Sequence, residues 1–541
     1  MADSTLTGLK SLSLCSQGLP VYYQFLLQSE DEVLRVAAMA ALLELDALGH
    51  RLWPQIIPLA KHSAVRDRAI AFFLKANEFE WAEKILAQLP SENRQALFDK
   101  FNQAQLSGND HDCAKLARAL FLSEGKFEWL GKAQKYQEAV GGWRLALGSL
   151  VQSIMALPSD PIGPLMLLDT LANANAYGLL VEAIEIFQQA RIYPMECAVF
   201  TAKAEIKKGL YRQSLKSLPR NEKSISSEAL LVAYWEISAL AYRGVQQFRE
   251  ALQCYTKKNE VGIPKNIRAE GFYEGVQARA ALKIEDGGGD PKAAMHSMMV
   301  GFPRSGTTLL ENALAAHPAI ETFEEIPAFA RMERYVHRLD RRTIGAKEVR
   351  EAREVYYGTI KRVQRKAAAN RFVDKMPITS AHAVFVHKML PELRYIFSIR
   401  HPYDVVLSCF FQSFKPNITM ENFRSFAGAC RLYDFTMSQW FSVFSLEHPK
   451  VHYVRYDELV TSFEGTMESI CQFLGVEWDS VIMQFAENAQ LRPMRTPSYP
   501  KVRAGLSLGI QSYWKDFDFL FARKEAECLK KWVAHFGYAS A

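Results

Sequence analysis

Several features are scarce or missing in this 541-residue sequence, and each absence narrows what the protein can be. No run reaches the roughly 18 apolar residues of a membrane span, and the N-terminus MADSTLTGLK lacks a signal-peptide pattern. The eight cysteines are scattered and form no CxxC pair, so we expect buried thiols in a reducing compartment. The net charge of +6 is modest and favours local anion sites over nucleic-acid binding. We therefore predict a cytoplasmic protein with no membrane or nucleic-acid partner.

The length predicts at least two domains, because one ordinary core does not grow this large. The segment IEDGGGDP (284–291) combines flexible glycines with a proline, so a helix cannot cross it. We place a Gly-rich linker at 286–294, a helical domain at 1–285 and a second domain at 295–541. After the linker, predicted strands alternate with helical stretches, which favours a parallel α/β sheet with ligands at the carboxyl ends of strands. The predicted strands are 297–300, 371–373, 394–399 and 451–455.

The first domain is predicted to be an irregular α-helical solenoid of the tetratricopeptide type. Helical patterns cover 33–48, 63–89 and 114–122, and better-defined units follow at 179–190, 210–218 and 248–258. The small anchor residues of those three units lie 31 and 37 residues apart, which brackets the repeat period of about 34 residues. Such a stack can bind a protein partner, associate with a second copy as a homodimer, or pack on the second domain.

The stretch 301–318, GFPRSGTTLLENALAAHP, predicts a phosphate-binding loop. An apolar strand precedes it, apolar residues recur at helical spacing after it, and Gly301 and Gly306 bracket the turn. Backbone amides and a helix N-terminus converge on an anion in this arrangement. Thr307, followed by Thr308, replaces the lysine of a nucleoside-triphosphatase P-loop, which favours a nucleotide whose terminal group carries less charge and needs no metal.

This loop resembles the 5′-phosphosulfate loop of sulfotransferases that use 3′-phosphoadenosine 5′-phosphosulfate (PAPS). PRSGTT followed by a helix and His-Pro carries the resemblance, and bacterial sulfotransferases with tetratricopeptide-type N-termini look similar in organisation. The resemblance implies an α/β sulfotransferase domain at 295–541, with PAPS as co-substrate, 3′-phosphoadenosine 5′-phosphate (PAP) as product and no metal. It also implies nucleotide contacts from Arg304, Ser305, Gly306, Thr307 and Thr308, with Arg304 acting in catalysis as well.

An acidic pair and a lysine follow other predicted elements. Glu325 lies 21 residues after Arg304, which is enough for one helix and a return of the chain. The pair Glu324-Glu325 can therefore face the anion site. The alternative is that both are solvated acids that cap a helix. A positioned carboxylate can take the proton of a hydroxyl nucleophile, and the resemblance to protein-tyrosine sulfotransferases implies this role for Glu325. The residues after the pair depart from that family, so Glu324 stays an alternative. Lys375 follows a strand, where it can support an oxygen that gains charge, and the resemblance implies that it assists departure of the nucleotide.

A further strand ends at Arg400, and Ser408 lies eight residues later in the next helix. An arginine fork and a serine hydroxyl suit a phosphate monoester, and the resemblance implies that they hold the 3′-phosphate. By the same resemblance, Tyr456, after another predicted strand, and Ser498, in a C-terminal loop that covers the nucleotide, contact PAPS.

Two basic residues of the resembled family are replaced here by Gln412 and Tyr513. The replacement at Gln412 leaves the 3′-phosphate with one cation fewer, unless another residue compensates. Lys501 and Arg503, in the predicted covering loop, are candidates to replace the charge missing at Tyr513.

Three functions compete at this stage. The leading hypothesis is sulfonate transfer from PAPS to an acceptor hydroxyl, with a tyrosine of a protein or peptide ahead of a carbohydrate or small-molecule hydroxyl. A P-loop phosphotransferase is disfavoured by Thr307 in place of lysine. The third is a scaffold that binds PAP or partners without catalysis.

Overall fold

The computed structural model describes residues 31–44, 54–62, 92–107, 162–173, 176–225, 227–262, 268–414, 416–485 and 512–538, and the isolated positions 27, 65, 69, 113, 116, 117 and 120. The chain divides into two compact units, Met1–Ala204 and Glu205–Ala541. No helix among the described residues is long and apolar enough to cross a bilayer. The cysteines that the structure describes form no disulfide, and all of them except Cys528 are buried.

The described part of the first unit is helical. Its helices are α1 (Glu32–Glu44), α2 (Ile56–Leu59), α3 (Glu92–Ser107), α4 (Ile162–Asn173), α5 (Tyr177–Gln189) and α6 (Pro194–Lys207), which ends in the second unit. On α5, Leu180, Ala183, Ile184 and Phe187 are buried at the spacing of one helix face. The predicted helices at 33–48 and 179–190 are confirmed over their described residues. Those at 63–89 and 114–122 lie largely outside them, and the tetratricopeptide assignment stays a prediction.

The second unit begins with helices and continues as alternating strands and helices. In chain order these are α7 (Tyr211–Ser217), α8 (Glu228–Gly244), α9 (Phe248–Glu260), α10 (Glu270–Ala280), β1 (Lys283–Ile284), β2 (His296–Gly301), α11 (Thr307–Ala316), β3 (Ile320–Glu324), α12 (Ala328–Arg338), β4 (Thr343–Ile344), α13 (Ala346–Val363), β5 (Arg371–Lys375), α14 (Ala383–Met389), β6 (Arg394–Ile399), α15 (Pro402–Phe411), α16 (Phe426–Phe441), β7 (Val451–Arg455), α17 (Tyr456–Thr461), α18 (Phe463–Leu474), α19 (Asp518–Phe521) and α20 (Glu527–His535).

Five strands form one parallel sheet in the order β3-β5-β2-β6-β7. Every residue of the central strand β2 is buried, because helices cover both faces of such a sheet. Met298 and Val300 enter the core on one side, and Met299 enters the core on the other. The predicted parallel α/β architecture and all four predicted strands are confirmed. The edge strand β3 was not predicted, because IETFE carries two glutamates and has no run of apolar residues.

Helices before the predicted linker pack on the sheet domain. On α9, Lys258 donates its Nζ to the carbonyl of Phe411, and Asn259 donates its Nδ2 to the carbonyl of Phe410 at 2.9 Å. These bonds satisfy carbonyls at the end of α15 that have no partner within the helix. The linker at 286–294 therefore lies inside the second compact unit, and the assignment of 1–285 and 295–541 as separate domains stays a prediction.

A buried carboxyl on β5 links stability to pH. Asp374 accepts a hydrogen bond from the hydroxyl of Tyr356 on α13 at 3.1 Å, whereas its Oδ1 has no hydrogen-bond partner among the residues that the structure describes. Burial raises the pKa of Asp374 from 3.8 to about 7, against the opposing effects of Tyr356 and Lys375. The folded chain thus keeps a proton that the unfolded chain releases. The stability that this retained proton contributes is fully present below pH 3.8. It declines as the pH rises and is lost once the pH has passed about 7.

We expect Asp374→Asn to remove this pH dependence, because the amide cannot ionise. The free energy of unfolding of the wild type should fall between pH 4 and 8 by up to ~4 kcal/mol relative to the variant. Urea unfolding at several pH values measures the difference. Tyr356→Phe is the control, since it keeps the carboxyl and should keep the slope. Parallel wild-type and Asp374→Asn curves would contradict the assignment.

Candidate active site

The carboxyl ends of the five parallel strands bring most of the predicted site residues to one edge of the sheet. In spatial order across the sheet, β3 leads to Glu325, β5 ends at Lys375, β2 leads to the loop 301–306, β6 leads to Arg400 and β7 leads to Tyr456. The acid and the lysine thus occupy one side, the loop lies in the middle, and the arginine and the tyrosine occupy the other side.

The loop requires glycine at both of its ends. Gly301 has a φ of 151°, and a Cβ on it would lie 2.7 Å from the carbonyl oxygen of Ser398. Gly306 has a φ of 109°, and a Cβ on it would lie 2.4 Å from the ring of Tyr456. Real Cβ atoms do not approach so closely, and L side chains avoid these φ values. Gly306 precedes the first residue of α11, so this close approach brings Tyr456 against the N-terminus of that helix.

Side chains from three neighbouring segments donate hydrogen bonds to the carbonyl groups of the loop. Ser398 on β6 donates to the carbonyl of Ser305 at 2.9 Å, and the thiol of Cys409 on α15 donates to the carbonyl of Pro303 at 3.3 Å. Ser380, just after β5, donates to the carbonyl of Gly301. Sequence reasoning missed all three donors, because a lone serine or cysteine far along the chain carries no motif. These bonds hold three carbonyl groups of the loop in place, and the amide of Ser305 donates to the carbonyl of Phe302 at 3.2 Å.

The two anion pockets predicted from sequence are in direct contact. Arg304 Nε donates to Ser408 Oγ at 3.2 Å, and Arg400 Nη1 donates to the carbonyl of Arg304 at 3.4 Å. The guanidinium of Arg400 lies 4.6 Å from the ring centroid of Tyr456. Burial lowers the pKa of Arg304, and the positive charge of Arg400 lowers it further. Two cationic side chains at one loop favour a bound anion.

On the opposite side of the loop, Lys375 lies between two carboxylates. Its side chain is fully buried, with Nζ 3.3 Å from Glu324 Oε1 and 3.0 Å from Glu325 Oε1. The side chain of Glu324 is 3% exposed and that of Glu325 is 46% exposed. Burial raises the pKa of Glu324, and the charge of Lys375 opposes that rise. Glu325 has a φ of 51°, and its amide donates to the carbonyl of Lys375 at 2.9 Å.

Three predicted site residues have no described position, and Gln412 has a local hydrogen bond. Ser498, Lys501 and Arg503 lie outside the described residues. Gln412 donates to the carbonyl of Ser413 at 3.3 Å. Among the residues that the structure describes, no group of three or more His, Cys, Asp and Glu is placed to hold a metal ion.

Comparison with known proteins shows what this region is similar to. Residues 298–480 match the model of the Sulfotransferase family. The sequence is 25% identical over 204 residues to a protein-tyrosine sulfotransferase of Drosophila melanogaster, across 35% of this chain and 39% of that protein. It is 27% identical over 197 residues to protein-tyrosine sulfotransferase A of Caenorhabditis elegans, across 34% of this chain and 50% of that protein.

Among solved structures, the sulfotransferase domain from the curacin biosynthetic pathway aligns with a TM-score of 0.31 and 15% identity. That alignment covers 46% of this chain and 98% of that domain. The family match and the two animal relatives confirm the resemblance to sulfotransferases, and to the protein-tyrosine enzymes in particular, for the C-terminal region. The match spans half or less of the two animal relatives.

We expect Gly306→Ala to destabilise the fold through both backbone strain and the clash with Tyr456. The matched control is Gly537→Ala, because Gly537 also has a positive φ, 65°, but has open space where a Cβ would be. The control should cost ~1–2 kcal/mol of unfolding free energy from strain alone. Gly306→Ala should cost a further ~1–3 kcal/mol from overpacking.

A double-mutant cycle with Tyr456→Ala separates the two contributions to the cost of Gly306→Ala. The excess over the control should fall by the overpacking cost when the ring is absent, and the part that remains reports the greater backbone strain at a φ of 109°. An unchanged excess would show that the ring does not constrain Gly306.

Proposed function

We propose that this protein transfers the sulfonate group of PAPS to an acceptor hydroxyl. The observation that carries the proposal is the order of groups along the sheet edge: Glu325 and Lys375, then the loop, then Arg400 and Tyr456. An acid that can take a proton and an arginine that can hold a phosphate lie on opposite sides of one anion loop, which itself carries Arg304. In-line transfer between a hydroxyl and a bound nucleotide needs these groups in this order.

The residues at the loop fit a nucleotide that carries phosphates. The hydroxyl of Ser305 and the Nε of Arg400 are buried and have no hydrogen-bond partner among the described residues. Buried polar groups of this kind are normally satisfied, so a phosphate oxygen is a suitable acceptor for both. Thr307 and Thr308 are buried in the first turn of α11, where backbone amides point out of the helix end.

Each residue has one role in the proposed reaction. Glu325 accepts the proton of the acceptor hydroxyl while the acceptor oxygen bonds to sulfur and the bond from sulfur to the 5′-phosphate oxygen breaks. Lys375 neutralises the charge that appears on that leaving oxygen. Arg304 and the loop amides hold the 5′-phosphate and the sulfonate, and Arg400 with Ser408 holds the 3′-phosphate. The products are PAP and the sulfated acceptor, and catalysis needs no metal.

The difference in exposure supports Glu325 over Glu324 as the base. An acceptor hydroxyl can reach a side chain that is 46% exposed but not one that is 3% exposed. Glu324 then serves to hold Lys375, since a fully buried lysine needs a carboxylate at hydrogen-bond distance.

For the acceptor, we propose a tyrosine of a protein or peptide. This rests on the identities of 25% and 27% to proteins named as protein-tyrosine sulfotransferases. A carbohydrate or small-molecule hydroxyl is the alternative. Incubation with PAPS carrying labelled sulfur and a panel of peptides, glycans and phenols separates them, because mass spectrometry identifies the product that gains sulfonate.

The same assay tests the reaction class. We expect transfer in the presence of EDTA and no phosphoryl transfer from ATP, since Thr307 occupies the position of the P-loop lysine. Binding of PAP without transfer to any acceptor would instead favour the non-catalytic scaffold.

We expect Glu325→Gln to lower kcat by ~10²- to 10⁴-fold, because the amide cannot accept the proton. The dissociation constant for PAP, measured by calorimetry, should stay close to that of the wild type. The matched control is Glu324→Gln, which changes a carboxylate that contacts the same lysine but is shielded from solvent. A larger loss of kcat for Glu324→Gln than for Glu325→Gln would move the base to Glu324.

A further inference from the structure

An arginine from the helices before the sheet domain lies beside the proposed nucleotide site. The guanidinium carbon of Arg243, on α8, is 4.7 Å from the ring centroid of Tyr513, 5.6 Å from that of Phe411 and 5.9 Å from that of Phe517. Its Nη1 donates to the hydroxyl of Tyr255 at 3.5 Å. Among the described residues, no carboxylate forms an ion pair with it. The described contacts of this cation are therefore with aromatic rings and a phenol hydroxyl.

Two observations connect Arg243 with Arg400, the arginine that follows β6. Phe411 lies on α15 one turn after Ser408, so Arg243 sits over the same helix that presents this serine. The phenol of Tyr513 lies within the electrostatic reach of both Arg243 and Arg400, and both charges oppose the rise in its pKa that burial causes. Arg243 thus contacts the ring of Tyr513 and the helix that carries Ser408, and Arg400 acts on the same phenol through its charge.

A phosphate monoester is the ligand that this pair of cations suits. It carries close to two negative charges at neutral pH, and a single guanidinium leaves part of that charge uncompensated. Contacts with aromatic rings stabilise a guanidinium only partly, so a half-buried arginine without a carboxylate gains from a bound anion. The rings also limit the orientation of the guanidinium, which lowers the entropy lost on binding.

We propose that Arg243 is a second cationic contact for the 3′-phosphate of the nucleotide, acting together with Arg400 and Ser408. This inference rests on the proposed function, because it assigns the 3′-phosphate to that side of the loop. It makes the helices before the predicted linker part of the nucleotide site. A purely structural role, in which Arg243 only packs α8 against Tyr513 and Phe517, is the competing explanation.

Calorimetry with two nucleotides tests this assignment on the full-length protein. PAP and adenosine 5′-phosphate differ only in the 3′-phosphate. We expect Arg243→Gln to weaken PAP binding by roughly 10- to 100-fold and to change adenosine 5′-phosphate binding by less than about two-fold. Arg243→Lys keeps the charge without the fork and should fall between the wild type and Arg243→Gln.

The matched control is Arg249→Gln, because Arg249 on α9 also lies over an aromatic ring, 4.8 Å from the centroid of Phe519. This change should leave the affinities for both nucleotides within about two-fold of the wild type. Thermal unfolding of all variants reports whether each one is folded.

The possible results separate this inference from the proposed function. Equal losses for both nucleotides in Arg243→Gln, or no loss for PAP, would overturn the role of Arg243 while the proposed function stands. Failure of the wild type to bind PAP more tightly than adenosine 5′-phosphate would overturn both.

Discussion

The parallel register of the sheet is the constraint on which the candidate site depends. Met299 of β2 and Glu324 of β3 are both paired with Lys375, so the lysine, the acidic pair and the start of the loop are at one level. On the other side of β2, Gly301 is paired with Ser398, two residues before Arg400. A shift of one residue would turn every side chain of the shifted strand to the opposite face.

The alternation along β5 shows how narrowly that register is defined. Asp374 points toward α13, where Tyr356 bonds to it, and the next residue, Lys375, contacts the two glutamates. Both side chains are buried and ionisable, yet they belong to different environments. Exchanging their positions would place a carboxyl against two carboxylates, which repel it. The hydrogen bonds between strands therefore determine the chemistry at the edge as well as the fold.

Much of this arrangement was predictable from sequence, because the informative signals are local. The loop, Arg400 and Lys375 each follow an apolar segment directly, so strand and site residue were found together. Strand β3 was missed because its glutamates obscure the apolar pattern, although its last residue and the next one were assigned to the site. Contacts that join distant segments, such as Ser398 and Cys409 to the loop or Arg243 to Tyr513, have no sequence signal, since they arise only once the chain is folded.

The helices between residues 205 and 280 are therefore best understood as support for the site. Lys258 and Asn259 complete the hydrogen bonding at the end of α15, and burial lowers the pKa of Lys258 to about 8. The same helix α15 presents Ser408 to Arg304 and fixes the loop through Cys409. A displacement of α9 would free carbonyls at one end of α15 and move the anion contacts near its middle. Because a helix transmits such displacements along its length, the positions of the anion contacts depend on how the helices that precede the sheet in sequence pack against α15.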